Sequence, residues 1–587
     1  MVPERWLRTF LGACLVALLG CRTDPERLPD ATTPIPAHVP GGWPYPVEAP
    51  VAVADHGMVV TDAPLATRVG VEILREGGNA VDAAVATAFA LAVVLPAAGN
   101  LGGGGFMVLH VNGESYALDF REAAPAAAHR DMFLDEGGAP TGDSLTGHRA
   151  AGVPGSVAGL WEAHRRFGSQ PWRTLVEPAI RLAQEGFEVD ADFSGAVKAE
   201  ARRLARFEGS AALFLPGGEP IAPGARFSSP DLARSLRRIA EHGPAGFYAG
   251  ETADRIVEEM RRGGGLVTHE DLQGYRARWR EPIEFIYRGQ RVISMPPPSS
   301  GGITLALIAG ELESHDLAAL GRYSPGAIHL QTEATRRAFA VRNQVLGDPD
   351  FVEMPLERIL SRDFAASLAA SISARGATPS SQVSAGLGTQ DEGRHTTHFS
   401  VADRDGGVVA LTTTLNDSYG SAVTVQGAGF LLNDEMDDFT VKPGTPNLFG
   451  LVQGEANAIA PGKRMLSSMT PTIVLGERDE PLLVTGASGG PHIITATFQI
   501  LSNRLDHGLD LGASMSSPRF HHQHLPDRLE LEQDGFRAEL VRALQALGHE
   551  IRWYAPADGS LSATIERRDG RWWGASDPRT GGLALGY

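Results

Sequence analysis

Hydrophobic residues recur at two different periods along this chain, and the changes of period predict a mixed architecture. From Asp62 the pattern is helical: Leu65, Val69, Ile73 and Leu74 recur at helical spacing, Pro64 suits a first turn, and Asp62 is placed to cap it. Gly77-Gly78 stops that helix and Asn79 starts the next. The apolar stretch 80–98 contains Asp82 and is interrupted by Pro96, so it predicts a buried helix followed by a turn. After the glycines at 102–105 the period becomes that of strands. The runs 106–110 and 116–120 flank Asn112-Gly113, a hairpin signature. Residues 150–285 are mostly helical, with surface-like arginine runs, and PPPSSGG at 296–302 is a rigid entry into another helix. Residues 376–395 are rich in Ser, Gly, Thr and Gln with few apolar anchors, which predicts an exposed loop. Immediately beyond it, β-prone runs at 397–402 and 408–414 enclose a short turn, a second hairpin. Helical spacing returns near 493–505 and 537–547.

The first residues follow another logic. Arg5 and Arg8 precede an apolar run of 11 residues at 10–20, short for a membrane span and suited to the core of a signal peptide. The run ends Leu18-Leu19-Gly20-Cys21, which resembles a bacterial lipobox. That resemblance implies removal of residues 1–20 and a diacylglycerol on the Cys21 thiol; the alternative is an ordinary secretory signal with an incidental cysteine. Residues 21–50, rich in Pro and Gly without a period, read as a tether. No second apolar run reaches 18 residues. The expected location is the bacterial cell envelope, with a lipid-anchored, periplasmic or extracytoplasmic body.

Composition removes several classes of function. The chain has 587 residues, 43% of them hydrophobic, which describes a globular protein rather than a disordered one. Its 52 basic and 70 acidic residues give a net charge of −18, which speaks against a nucleic-acid partner. Only Lys198, Lys442 and Lys463 are lysines, so a catalytic lysine has few candidates. Both cysteines, Cys14 and Cys21, precede the body and exclude a disulfide framework, a cysteine zinc site or an iron–sulfur centre within it.

Four motifs compete for the chemistry. The glycines at 102–105 are followed by no Gly-Lys-Ser/Thr and do not complete a dinucleotide fingerprint, so close packing or substrate contact is favoured over a phosphate loop. His521, His522 and His524 are too nearly adjacent to aim at one ion, and a structural role is favoured over a metal site. Gly486-Ala487-Ser488-Gly489-Gly490 matches the nucleophile elbow of α/β-hydrolases, with a strand before it and a helix after it, and Asp527 and His549 follow in the expected order. Against that reading, little chain follows Ser488 and the glycine-rich oxyanion candidate lies far upstream. The strongest signal is Thr396-Thr397-His398-Phe399-Ser400, where the polar loop meets a strand. A threonine hydroxyl is a poor nucleophile without a base. A chain break before Thr396 would create an α-amino group of pKa about 7.7–8.0 on the same residue, able to take the hydroxyl proton. The competing reading is a threonine-rich strand start, and the residues alone do not decide between them.

At this point the sequence resembles the γ-glutamyltranspeptidases, members of the N-terminal nucleophile hydrolase superfamily. The resemblance runs from about residue 51 to Tyr587. Its blocks are GNLGGGGFM at 99–107, DFRE at 119–122, MPPPSSGG at 295–302, TTHFSV at 396–401, TTTLN at 412–416, NDEMDDF at 433–439, KRMLSSM at 463–469 and GASGG at 486–490. The family implies an α+β fold, a four-layer αββα sandwich, made by one chain that cuts itself. The cut would fall between His395 and Thr396 and leave a large subunit, 51–395, intertwined with a small one, 396–587.

Carried over by motif, the resemblance makes Thr396 the nucleophile and Thr414 the hydroxyl that orients it. Arg121, Ser467 and Ser468 would hold the substrate α-carboxylate, where a guanidinium fork suits better than a point charge. Asn416, Glu435 and Asp438 would hold the α-ammonium, and the Gly489 and Gly490 amides would form the oxyanion hole. Glu435 stands where bacterial members often have Gln, and keeps the ammonium contact. Phe449, in the loop 442–454, stands where some relatives have a lid-latching Tyr, so a lid with a weaker latch is expected. No metal or cofactor is implied. The implied activity is γ-glutamyl transfer and hydrolysis, with glutathione and other γ-glutamyl compounds as donors and water, amino acids or peptides as acceptors. The rivals are a β-lactam side-chain (glutaryl) acylase on the same fold, against which Arg121, Glu435 and Asp438 argue together, and a processed but inactive binding protein.

Overall fold

The computed structural model describes residues 40–383 and 396–587. Cys21 and the lipobox, and His395 with residues 384–394, lie outside the described residues. Two antiparallel seven-stranded sheets form the centre. One runs in the order Ala52–Ala54, Arg571–Ser576, Ala563–Arg568, Pro481–Thr485, Thr472–Leu475, Gln290–Ser294, Ile283–Tyr287. The other runs Leu583–Gly586, Met58–Thr61, Thr396–Ala402, Val408–Thr414, Gly104–Val111, Glu114–Phe120, Arg278–Arg280. Both sheets thus combine strands from before residue 384 with strands from after residue 395.

The layering follows from side-chain alternation along strands that are buried on both faces. Met58, Val60, Phe106, Val108 and Ala410 point inward to meet Ile293, Ile473, Val484 and Ile565 of the facing sheet. Their neighbours Val59, Met107, Leu109, Phe399 and Leu411 point outward under Pro64–Arg75, Ala80–Val94 and Ser156–Phe167. On the far side, Val292, Val474 and Leu483 pack under Gly301–Leu312, Pro325–Val345 and His492–Leu505. This is the expected αββα sandwich. Each such buried Val, Leu or Ile contributes about 1.5–3 kcal/mol relative to exposure, so the sheet faces specify the layer order strongly.

Both expected hairpins form: Gly104–Val111 with Glu114–Phe120, and Thr396–Ala402 with Val408–Thr414. In the turn of the second, Asp403 Oδ1 accepts the Asp405 and Gly407 amides at 3.0 and 2.8 Å. The 80–98 stretch is a wholly buried helix, Ala80–Val94. Asn79 and Asp82 close a reciprocal capping box at its start.

Asp62 departs from expectation. The helix Pro64–Arg75 has Ala63 at its cap and no side-chain cap bond. The Asp62 carboxylate instead accepts a hydrogen bond from Thr397 Oγ1 at 3.0 Å. The reason lies in strand pairing. Met58–Thr61 pairs only with residues 400–402 of its neighbour, so the start of Thr396–Ala402 runs past the end of that partner, and Asp62 meets it there. Burial pushes the Asp62 carboxyl up to about 7.

A folded-state pKa above the usual Asp value means that the folded chain holds this proton more tightly than the unfolded chain does. The associated stability is fully present below about pH 4 and is lost as pH rises through about 7. Asp62→Asn is therefore expected to flatten the decline in denaturant midpoint between about pH 5 and about pH 8. Equal slopes for the two proteins would show that Asp62 does not titrate in this range.

Candidate active site

The site begins with a register. Thr396 pairs directly with Thr414 across two adjacent antiparallel strands. Along the first strand Thr396, His398, Ser400 and Ala402 share one face; along the second, Thr414, Thr412, Ala410 and Val408 do. Ala402, Ala410 and Val408 belong to the inter-sheet core, so both terminal threonines point into that layer, at the end where the sheets part. Thr396 Oγ1 donates to Thr414 Oγ1 at 3.4 Å, and Thr414 Oγ1 accepts the Asn416 amide at 2.8 Å. Asn416 turns the chain away with φ +81°, and its Nδ2 donates to the Asp434 carbonyl at 3.2 Å. His398, two residues from Thr396 on the same face, is not positioned as its base. Its ring nitrogens meet Thr412 and Ser400, and burial takes its pKa down to about 3, leaving it neutral.

The glycines at 102–105 serve packing. Gly104–Val111 lies against Val408–Thr414, and a Cβ on Gly103 or Gly105 would run into the carbonyl oxygen of Thr414 or Thr412. Asn100 pins the same strand end: its Nδ2 donates to the Thr414 carbonyl at 2.8 Å and to Thr413 Oγ1 at 3.1 Å.

A buried charged wall stands beside the threonines. The Arg121 guanidinium is fully buried and bridges Glu435 and Asp438, with Glu122 at 3.6 Å. Burial alone would lower the Arg121 pKa, but the three carboxylates more than reverse this and hold it above the usual arginine value. Burial in turn raises the Glu435 and Asp438 carboxyls, opposed by Arg121, and pushes Glu122 up to about 7. The sequence expectation placed Arg121 on a substrate carboxylate and the two acids on an ammonium. In the structure the three groups satisfy one another, and a zwitterionic amino-acid headgroup offers each a partner of the same sign as the one it now holds. Tyr275 OH fixes the Arg121 carbonyl at 2.7 Å, and Asp119 accepts the Arg121 amide at 3.0 Å while pairing with Arg464.

Ser467 and Ser468 line the same cleft, where two sequence blocks meet. Ser300 donates its amide and its hydroxyl to the Ser467 carbonyl at 2.7 and 2.6 Å, and Ser299 Oγ donates to the Met469 carbonyl at 2.6 Å. PPPSSGG and KRMLSSM therefore form one joined support.

Gly489 and Gly490 adopt φ of +108° and +56°, the left-handed side that a β-carbon disfavours, immediately before the helix His492–Leu505. Neither amide donates to another described residue. Gly490 shares the cleft with Thr396, Thr414, Asn416, Arg121, Asp438 and the two serines. Phe449 covers it: a Cβ on Gly490 would lie 2.6 Å from the Phe449 ring. Without a tyrosine hydroxyl, that loop is held by other groups. Gln523 donates to the Phe449 carbonyl at 2.9 Å, Asn447 Nδ2 to Asp438 Oδ1 at 3.2 Å, and the Leu448 amide to Asp437 at 2.7 Å.

The α/β-hydrolase alternative is contradicted. Ser488 Oγ donates only to the Leu561 carbonyl among the described residues, at 3.4 Å. Asp527 is committed to Arg336 and the Ser380 amide, and His549 to His329 at 2.8 Å, so no Ser–His–Asp relay assembles. The elbow match has other causes: a Cβ on Gly486 would lie 2.5 Å from the His398 ring, and Gly490 adopts φ +56°. The histidine cluster is structural: His521 meets Thr495 and Gln523, and His524 donates to the carbonyls of Ser380 and Val383. No group of metal-ligand residues converges among the described residues. Sequence reasoning missed Arg342, which lines the cleft from the helix Pro325–Val345, and Asn447, because helical and loop patterns do not reveal which polar side chain faces a site.

Comparison with known proteins gives a consistent answer. Residues 66–587 match the family model described as Gamma-glutamyltranspeptidase. The chain is 46% identical to the glutathione hydrolase proenzyme of Escherichia coli (strain K12), over 91% of this chain and 92% of that one. Among solved structures, cephalosporin acylase from Bacillus halodurans superposes with a TM-score of 0.82 at 28% identity, covering 93% of this chain and 99% of that one. A Helicobacter pylori gamma-glutamyltranspeptidase chain gives 0.55 at 42% identity, covering 56% and 96%. The chain belongs to the gamma-glutamyltranspeptidase family.

Proposed function

We propose that this protein is a self-processing γ-glutamyl transferase and hydrolase of the bacterial envelope, with glutathione and related γ-glutamyl compounds as donors. The observation that carries the reading is the placement of Thr396 Oγ1 against Thr414 in one cleft with Arg121, Asp438 and the Gly490 amide. Cleavage between His395 and Thr396 frees the Thr396 amine. That amine takes the hydroxyl proton as Oγ1 attacks the donor's γ-carbonyl carbon. The amides of Gly489 and Gly490 receive the charge that develops on the carbonyl oxygen. The proton passes to the departing amine, leaving a γ-glutamyl ester on Thr396. Water or an amino group then attacks the ester, gives its proton to the Thr396 amine and releases the hydroxyl. Arg121, Ser467 and Ser468 bind the α-carboxylate; Asn416, Glu435 and Asp438 bind the α-ammonium.

A second reading, a glutaryl acylase, is favoured by the likeness to the cephalosporin acylase structure. A glutaryl group has no ammonium, however, and would leave the Glu435–Asp438 pair without its match. Turnover of γ-glutamyl-p-nitroanilide against glutaryl-p-nitroanilide, with and without glycylglycine as acceptor, separates the two. Preference for the glutaryl donor would overturn the transferase reading.

Thr396→Ala is expected to remain one uncut chain, whereas the parent gives a large and a small fragment. N-terminal sequencing should find Thr396 first in the small one; any other start would remove its assignment as nucleophile.

Loss of one member of a buried charged pair costs about 3–5 kcal/mol. Asp438→Ala should therefore lower kcat/KM for γ-glutamyl donors at least about a hundredfold, and for glutaryl donors far less, with self-cleavage preserved. An equal loss on both donors would make Asp438 structural.

Cys21→Ser is expected to move the protein from the membrane to the soluble fraction, because an acyl chain contributes about 0.8 kcal/mol per buried methylene. Retention of the variant in salt-washed membranes would refute the lipid anchor.

A further inference from the structure

The helix Pro325–Val345 carries three fully buried arginines whose environments differ. Arg336 and Arg337 each pair with Glu333, one and one-plus turns back along the same helix, at 3.1 and 2.8 Å. Arg342 has no such partner: no carboxylate of a described residue lies within ion-pair distance of its guanidinium. It is nevertheless 1% exposed and lines the cleft that holds Thr396. Its donors go to neutral oxygens. Nε donates to Ser300 Oγ at 2.9 Å, Nη1 to Asn343 Oδ1 at 2.8 Å and Nη2 to Ser468 Oγ at 3.1 Å.

The direction of these bonds matters because each serine hydroxyl has one proton to give. Ser300 accepts from Arg342 and spends its proton on the Ser467 carbonyl at 2.6 Å. Ser468 also accepts from Arg342, and its own proton is bound to no other described residue. Ser467 Oγ likewise accepts, from the Met469 amide at 3.2 Å, and its proton is free in the same way. The result is two neighbouring O–H donors on the wall of the cleft, with an unneutralised cation directly behind one of them. Such a wall matches an anionic, planar group with two acceptor oxygens.

Charge sets the same preference. Burial lowers the Arg342 pKa only to about 10, so the group stays protonated at neutral pH. The carboxylate that most stabilises it is Asp438, which Arg121 already holds. A buried cation without its own counter-ion is costly, and a bound carboxylate on Ser467 and Ser468 relieves that cost.

We propose that Arg342 is a positioning residue for donor recognition: by donating to Ser468 Oγ it turns that hydroxyl's proton toward the cleft, beside the Ser467 hydroxyl, and makes the site selective for donors that carry an α-carboxylate. The inference rests on the γ-glutamyl reading of the site and adds to it a residue that touches neither the reacting atoms nor the Thr396 hydroxyl.

The test compares Arg342→Gln and Arg342→Lys with the parent on two donors, γ-glutamyl-p-nitroanilide and the analogue whose α-carboxylate is a carboxamide. For the first donor, Arg342→Gln is expected to raise KM at least about tenfold with kcat changed less than about threefold. For the carboxamide donor the variant and parent should agree within about threefold. Arg342→Lys keeps the charge but cannot span both serines, and is expected to fall between parent and Gln on the carboxylate donor alone. In a cycle with Ser468→Ala, the Arg342→Gln effect should largely vanish, because it acts through that hydroxyl. Equal losses on both donors, an unchanged KM, or full additivity with Ser468→Ala would each overturn the proposal. So would failure of both Arg342 variants to fold and self-process, since the residue would then be structural. Absence of parent activity on γ-glutamyl-p-nitroanilide would instead strike the functional reading on which the inference rests, and the inference would fall with it.

Discussion

The active-site arrangement depends on one register, the pairing of Thr396 with Thr414. A side chain on a strand has only two directions, and a slip of one residue would send both hydroxyls to the outer, helix-covered face. The five-residue turn at 403–407, tied by Asp403, and the apolar inward positions Ala402, Val408 and Ala410 fix the correct alignment. The glycines at 103–105 then allow a third strand to close on the same strand end, and Asn100 locks it. What surrounds the threonines is thereby placed by backbone pairing, with no mobile element needed to bring the hydroxyls together.

Charge is arranged around that fixed point with little slack. Arg121 is held by Glu435 and Asp438, while Arg342 faces the cleft with neutral partners only. The two guanidiniums are therefore not equivalent. The first has two carboxylate partners within the protein. The second has none among the described residues. Asp438 belongs to both the charged wall and the covering loop, because Asn447 also bonds to it. Occupancy of the acidic pair and the position of Phe449 over Gly490 are consequently linked through one carboxylate.

Much of this was legible in the sequence, for identifiable reasons. The two hairpins announce themselves because turn residues and alternation act locally, and the buried helix Ala80–Val94 because its cap residues and apolar run are contiguous. The site motifs were legible as blocks, but their joining was not: the contact between Ser299-Ser300 and Ser467–Met469 depends on both sheets being assembled. Asp62 was misplaced as a helix cap because the local pattern permits it, and only the truncated pairing of Met58–Thr61 gives it Thr397 instead. Ser488 resembles a nucleophile because glycines flank it at elbow spacing, although Gly486 is there to admit the His398 ring and Gly490 to allow a positive φ. Arg342 left no trace, since Arg336, Arg337 and Arg342 look alike along a helix until Glu333 is seen to serve only the first two.

The mixing of strands from both parts of the chain within each sheet has a consequence for how such a protein can be made. Within one sheet Met58–Thr61 sits between Leu583–Gly586 and Thr396–Ala402; within the other, Gln290–Ser294 pairs with Thr472–Leu475. A chain divided before Thr396 contains two pieces, neither of which owns a complete sheet. Translated from separate genes, each would expose long unpaired strand edges, the kind of surface that seeks any available partner and aggregates. The cut proposed before Thr396 fits such an architecture best if it is made after folding, when both sheets are already paired. Two polypeptides made by that cut could not be exchanged between molecules without unmaking both sheets.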